Sequence, residues 1–374
     1  MNLFLMAELL TVLAASIIVI FIFHRLKIPA VVGFLITGII LGPGGFGLVK
    51  DLQAINALAE VGVMMLLFTI GLEFSLDRLQ KIQRYFWLGG SLQVLLTIGL
   101  TAVLSMFLRI RLQEAILYGF LVALSSTAVV LKIMSDKNQL DSPQGQVSFG
   151  ILIFQDIAIV PMLALVPVLA NLQSVSLLTL GKHLILSVMA VAVVFLLARK
   201  IMPALISMIV GTRIKEIFLL SSLVACLGMA YLTASLGLSL ALGAFLAGMI
   251  ISESYYSHQV VSDILPFKDV FNSLFFVSIG MLLDTRIVLN LIGLVLAVVA
   301  GIILIKVITV FFTVRLLRFD PKSSLLAAFG LAQVGEFSFV LANVGQENGF
   351  LAGQDFQVFI ASSILTILAT PLLV

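Results

Sequence analysis

The chain has 374 residues, 61% of them hydrophobic and only 10% charged, with a mean hydropathy of +1.25. Roughly a quarter of residues are charged in soluble domains, so an ordinary soluble protein is excluded and a polytopic membrane protein indicated. The formal charge of +3 is spread over loops and forms no patch for nucleic acid, and the single cysteine, Cys226, excludes a disulfide framework within the chain.

At about 20 apolar residues per crossing, the pattern predicts thirteen transmembrane helices. They fall near 3–23, 29–48, 54–76, 86–108, 113–134, 146–171, 178–199, 214–234, 237–252, 264–283, 287–314, 323–345 and 355–374. The first has no basic region before it and no small-residue cleavage site after it, so it is expected to be a retained helix. The segment 201–213 is too short to cross and is expected along the interface. With the N-terminus outside, 15 of the 21 Lys and Arg residues fall at inner ends, 5 at outer ends, and Lys306 within a span. That bias predicts a cytoplasmic C-terminus, and the expected location of this multi-pass protein is the inner, or plasma, membrane.

An internal repeat organises these spans. GFLITG begins at Gly33 and GAFLAG at Gly243, LFTIG ends at Gly71 and FVSIG at Gly280, and Pro161 matches Pro371. The offsets are 210, 209 and 210 residues, which places equivalent spans seven apart and gives the halves opposite orientations. The expected domains are a first six-helix repeat over 1–171, a linker helix with its interfacial segment over 172–213, and an inverted six-helix repeat over 214–374. Inverted repeats of this kind place a binding site near the bilayer midplane where they meet.

The polar residues inside spans are few. Asp156 is the single charged residue of the span 146–171, and an ionisable group at that depth costs at least about 2.5–3.5 kcal/mol, which makes it a functional candidate. Gln155 adjoins it, and Pro161, lacking an N–H, leaves the carbonyl of Ile157 without its helical partner. Ser125, Ser126 and Thr127 lie together in ALSSTAVV, where hydroxyls either loosen a helix or hold it to a neighbour. Their repeat counterpart, LAQVGEFSFV, places Gln333, Gly335 and Glu336 in an apolar helix, a stronger sign of interruption. Two broken helices in corresponding positions would supply helix ends of both signs and free carbonyls for a cation. Lys306 is the one basic residue deep in a span, and Asp156 is its expected partner. Glu336 is either a second titrating group or a fixed counter-ion, while Glu73 and Glu253 read as solvated helix ends. The Asp156 counterpart is Thr366, so the chemistry sits in one half. His24, His183 and His258 do not cluster, no phosphate-binding loop occurs, and no nucleophile, base and oxyanion set is present, so an enzyme is disfavoured.

The stretches ILIFQDIAIVPML, LLFTIGLEFSL, LFFVSIGMLLD and LAQVGEFSFVLA closely resemble the Kef-type monovalent cation:proton antiporters, over essentially the whole chain. The resemblance implies a core domain with two broken, crossing helices and a second domain that forms a homodimer in the bilayer. It further implies that Asp156 carries cation and proton, that Gln155 takes the place held by Asp or Asn in sodium-type relatives, and that Lys306 is the counter-ion. Ser125, Ser126, Thr127, Gln333 and Glu336 belong to the crossing. Many Kef proteins continue into a cytosolic nucleotide-binding regulatory domain, and its Gly-rich fingerprint does not occur in these residues. The expected activity is exchange of K+, or less favourably Na+, for protons by alternating access, with no cofactor beyond the transported ion. A ligand-gated cation channel is the alternative, and it would need a continuous pore such as a carbonyl filter, of which no TVGYG-like sequence is present.

Overall fold

The computed structural model describes residues 3–25, 30–49, 52–73, 83–170, 215–235, 240–252, 257–351 and 353–374, all of them helical or in connecting turns. The expected span 178–199, the interfacial segment 201–213 and Glu253 lie outside the described residues, as does the side chain of Glu73. The first half contributes α1 (Leu3–Arg25), α2 (Ala30–Leu41), α3 (Leu52–Glu73), α4 (Tyr85–Phe107), α5 (Leu112–Ala123), α6 (Thr127–Asp136) and α7 (Pro143–Ala170). The second contributes α8 (Lys215–Ser235), α9 (Leu240–Ser252), α10 (Ser257–Met281), α11 (Thr285–Asn290), α12 (Ile292–Leu316), α13 (Pro321–Gly330), α14 (Glu336–Glu347) and α15 (Gln354–Leu373). Among the described residues six helices are long and apolar enough to cross a membrane: α1, α4, α7, α10, α12 and α15.

The helices form two compact units, and each draws on both halves of the sequence. One unit takes α3, the end of α7, α8, α9 and most of α10. The other takes nearly all of α1, then α2, α4–α6, most of α7 and α11–α15.

Lipid tails are as apolar as leucine, so helices associate through close packing, and small residues permit it. Within the first unit α3 and α9 touch backbone to backbone. A Cβ on Gly248 would lie 3.0 Å from the Cα of Gly71 and would collide with the carbonyl of Phe68. Within the second unit the same sequence motifs meet from the opposite halves, since a Cβ on Gly280 would lie 3.0 Å from the Cα of Gly38 and strike the carbonyl of Leu35.

The second unit holds all the polar residues singled out above for the site. Its floor is an apolar cluster of Val130 and Met134 from α6, Val147, Ile151 and Leu152 from α7, and residues of α12 and α13. At its loop end α13 is capped by Asp320, whose carboxylate accepts the Ser323 N–H at 2.9 Å, and that bond holds the carboxyl below its ordinary range. α4 opens with a π-helical turn over Tyr85–Gly90, and a Cβ on Gly90 would run into the side chain of Phe154 on α7. α7 itself runs unbroken through Pro161, which is exposed.

Candidate functional site

Two stretches with the hydropathy of single spans are each interrupted, as their polar residues suggested. α5 stops at Ala123 and α6 starts at Thr127, while α13 stops at Gly330 and α14 starts at Glu336. The backbone at 124–126 and that at 331–335 cross. The Gly335 N–H donates to the Leu124 carbonyl at 3.0 Å. A Cβ on Gly335 would stand 2.5 Å from both the carbonyl carbon and the oxygen of Ser125, so glycine alone lets the strands approach.

Four helix ends therefore converge, two with partial positive and two with partial negative charge. Lys306, fully buried at mid-length in α12, serves the negative pair. Its Nζ donates to the Leu124 carbonyl at 2.9 Å, to Ser125 Oγ at 2.8 Å and to the Gln333 carbonyl at 2.7 Å. Three acceptors occupy all three protons of an ammonium, whereas a neutral amine has two to give. The sequence paired this lysine with Asp156. In the structure its hydrogen bonds go instead to the two breaks, because the carbonyl ends of α5 and α13 together present about one unit of negative charge.

Asp156 lies at a positive end. Its two oxygens accept the Thr127 hydroxyl at 3.0 and 3.2 Å, and Thr127 is the first residue of α6. The carboxylate is half-buried. Ser126 caps the same helix, accepting the Val129 N–H at 3.3 Å. Glu336 occupies the corresponding first position of α14 and is buried.

Gln155 turns toward the first break. Its Oε1 accepts the Ser125 N–H at 2.7 Å, and its Nε2 donates to Gln93 Oε1 at 2.7 Å. Across the second break Thr366 does the equivalent work, its hydroxyl accepting the Val334 N–H at 3.1 Å while donating to the Ser363 carbonyl at 2.8 Å. The backbone of Gln333 is part of the Lys306 cradle. Its carboxamide is 0% exposed, and neither Oε1 nor Nε2 has a hydrogen-bond partner among the described residues.

Several buried polar positions were not foreseen from the sequence. Gln93 and Thr97 of α4 and Thr309 of α12 are buried beside the breaks, and the signal for the first two was a Gln and a Thr four residues apart in an apolar span. Ser338 ties α14 to α5 by donating to the Leu121 carbonyl at 2.7 Å. Glu8 of α1 is a further buried carboxylate, which the rule applied to Asp156 would have found. Among the described residues no group of three His, Cys, Asp or Glu side chains could hold a metal. The oxygens on offer at the site are hydroxyls, carbonyls and carboxylates, a hard-ligand set suited to an alkali cation.

A polytopic helical membrane protein with crossed, interrupted helices and buried opposite charges at opposite helix ends is of the class that moves ions through a midplane site. The chain matches the sodium/hydrogen exchanger transmembrane family model over residues 12–374 and belongs to that family. It is 34% identical over 348 residues to K(+) efflux antiporter 6 of Arabidopsis thaliana and 32% identical over 373 residues to K(+) efflux antiporter 5 of the same plant. These alignments take in 92% and 99% of this chain but 58% and 66% of those proteins, so the chain spans less than two thirds of their length. Its fold is that of the sodium proton antiporter MjNhaP1 from Methanocaldococcus jannaschii, with a TM-score of 0.76 over 99% of this chain and 96% of that one at 18% identity.

Proposed function

We propose that these residues are the transport domain of a secondary antiporter that exchanges a monovalent cation, potassium in preference to sodium, for protons by alternating access. The observation that carries this is the half-buried Asp156 carboxylate held by Thr127 at the start of α6. Such a group binds a proton or a cation but not both, and that exclusion couples the two fluxes. Thr127 offers its hydroxyl oxygen as a second ligand, and Ser126 and Glu336 line the crossing as further candidates. Lys306 neutralises the breaks and so leaves the core without an uncompensated charge when the site is empty.

Alternating access calls for inverted repeats, and two pairs of contacts support them. The Gly71 and Gly248 contact becomes the Gly280 and Gly38 contact when the halves are exchanged. Likewise each break has a backbone N–H held by a long helix, that of Ser125 by Gln155 and that of Val334 by Thr366, the repeat counterpart of the adjoining Asp156. On this reading the repeats cover 1–171 and 214–374, joined by 172–213. A homodimer, residence in the inner membrane with the N-terminus outside, and control by a cytosolic domain rest on the family resemblance and the lysine and arginine bias. Preference for potassium follows the plant relatives, which are K(+) efflux antiporters.

The test is proton flux in proteoliposomes under an imposed potassium gradient, with sodium, rubidium and lithium offered in turn. Wild type moves protons uphill and Asp156→Asn does not. Full exchange by that variant overturns the assignment of the carrier. Potassium movement without proton coupling in wild type would favour the channel.

A further inference from the structure

Gln155 stands next to the carrier, yet both polar atoms of its side chain are engaged away from it. Its Oε1 is turned to the Ser125 N–H and its Nε2 to Gln93 Oε1. The orientation of Gln93 is fixed in turn, because its Nε2 donates to Thr97 Oγ1 at 3.0 Å and to the Ala123 carbonyl at 3.2 Å. Flipping either amide would face N–H against N–H and oxygen against oxygen, so the pair has one arrangement. Thr97 then meets Thr309 Oγ1 at 2.8 Å, and Thr309 donates to the Lys306 carbonyl at 3.3 Å. Lys306 Nζ and Ser125 complete a circuit of hydrogen bonds around the first break. Gln93 is 0% exposed, and its helix is seated on α7 where Phe154 fills the space above Gly90.

We propose that Gln93 is a positioning residue for the cation site, acting through Gln155 to set the spacing between Asp156 and the hydroxyls of the first break. Two successive residues of α7 grip that break: Gln155 holds Ser125, and Asp156 holds Thr127. The first grip is rigid and dry, the second is the one that opens for an ion. Because the cation is read by the distance between Asp156 and the hydroxyls of the break, the length of the Gln93 side chain tunes which alkali ion fits. Gln155 on this account is a brace and contributes no ligand to the cation. Gln93→Asn keeps the amide but shortens it by one methylene, so it cannot span Gln155 and Ala123 together. Gln93→Leu keeps the bulk and removes every bond.

This inference rests on the antiport reading, and the experiment separates the two. Purified Gln93→Asn, Gln93→Leu, Gln155→Leu and the Gln93→Leu/Gln155→Leu double variant are compared with wild type. The readouts are thermal stabilisation by KCl, NaCl and RbCl in detergent, and KM and Vmax for each ion in proteoliposomes. Freed of its brace, the site should bind its preferred ion about tenfold more weakly, the size of one neutral hydrogen bond's net contribution. KM should rise unequally for the three ions, so that the K+ to Na+ ratio changes, while Vmax falls far less. The double variant should match Gln155→Leu alone. Loss of Vmax in equal proportion for all ions at constant KM ratios, additive effects in the double variant, or failure of both Gln93 variants to fold would each overturn the proposal. Absence of any cation-driven proton flux in wild type would instead sink the antiport reading.

Discussion

Lys306 offers the most direct test of what holds the crossing together. In Lys306→Met the three acceptors fare differently. The Leu124 carbonyl keeps the Gly335 N–H, and Ser125 Oγ still donates to the Leu331 carbonyl at 3.0 Å. The Gln333 carbonyl loses the ammonium and is left buried, which costs about 1–3 kcal/mol. Two helix C-termini also lose their opposing charge, at about 0.3–1 kcal/mol each and up to ~2 when desolvated. The methionine escapes the desolvation the ammonium suffered, which offsets part of this. The net loss is on the order of 2 kcal/mol, and at about 1–2 °C per kcal/mol for a chain of this length the Tm should fall by about 2–4 °C. Lys306→Gln supplies an N–H donor without charge and should recover roughly the carbonyl's share, giving the order wild type, then Gln, then Met. Thermal unfolding of detergent-purified protein measures this. A Met variant as stable as wild type, or a Gln variant no better than Met, would refute the idea that this side chain ties the breaks by hydrogen bonds.

Gln333→Met replaces a buried carboxamide, each unpartnered polar atom of which costs about 1–3 kcal/mol, by an apolar chain of similar length, so Tm should rise while proton flux falls. A lowered Tm in the same melting assay would show that the amide is satisfied in the folded protein. Gly335→Ala forces a methyl against the Ser125 backbone and should lose about 1–3 kcal/mol together with transport. Gly330→Ala is the control, since its Cβ meets only the flexible Met134 Cε at 3.5 Å and should leave both stability and flux close to wild type.

Hydropathy was enough to place the long helices, because a span's identity depends only on its own residues. The breaks were legible for the same reason: three hydroxyls at 125–127 and Gln333 with Gly335 stand out against apolar surroundings. What a side chain touches depends on partners distant in sequence, which its neighbours along the chain do not reveal. Lys306 was assigned to Asp156 because opposite charges attract, but carbonyl ends of broken helices carry charge that no residue letter displays. The resemblance gives Gln155 the place held by Asp or Asn in sodium-type relatives, and adjacent residues on a helix point about 100° apart, an angle at which its amide meets Gln93. Gln93 passed unnoticed, since one amide in an apolar helix has no meaning until the second is seen across from it.

On the proposed mechanism the sorting of charge lets one carboxylate change its protonation state without unsettling the fold. Were Lys306 bonded to Asp156, each protonation of the acid would strip the lysine of its partner and leave a buried cation uncompensated, at a cost of several kcal/mol. The lysine is bonded to carbonyl dipoles, which do not titrate. Asp156 faces the N-terminal end of α6 and is held by a hydroxyl, a group able to accept from a protonated acid as well as donate to an ionised one. At that hydroxyl a change of state calls for no more than the rotation of an O–H bond. On the proposed mechanism the amide pair and the ammonium keep their bonds in either state, and the contact between Thr127 and Asp156 is one that changes as ions come and go.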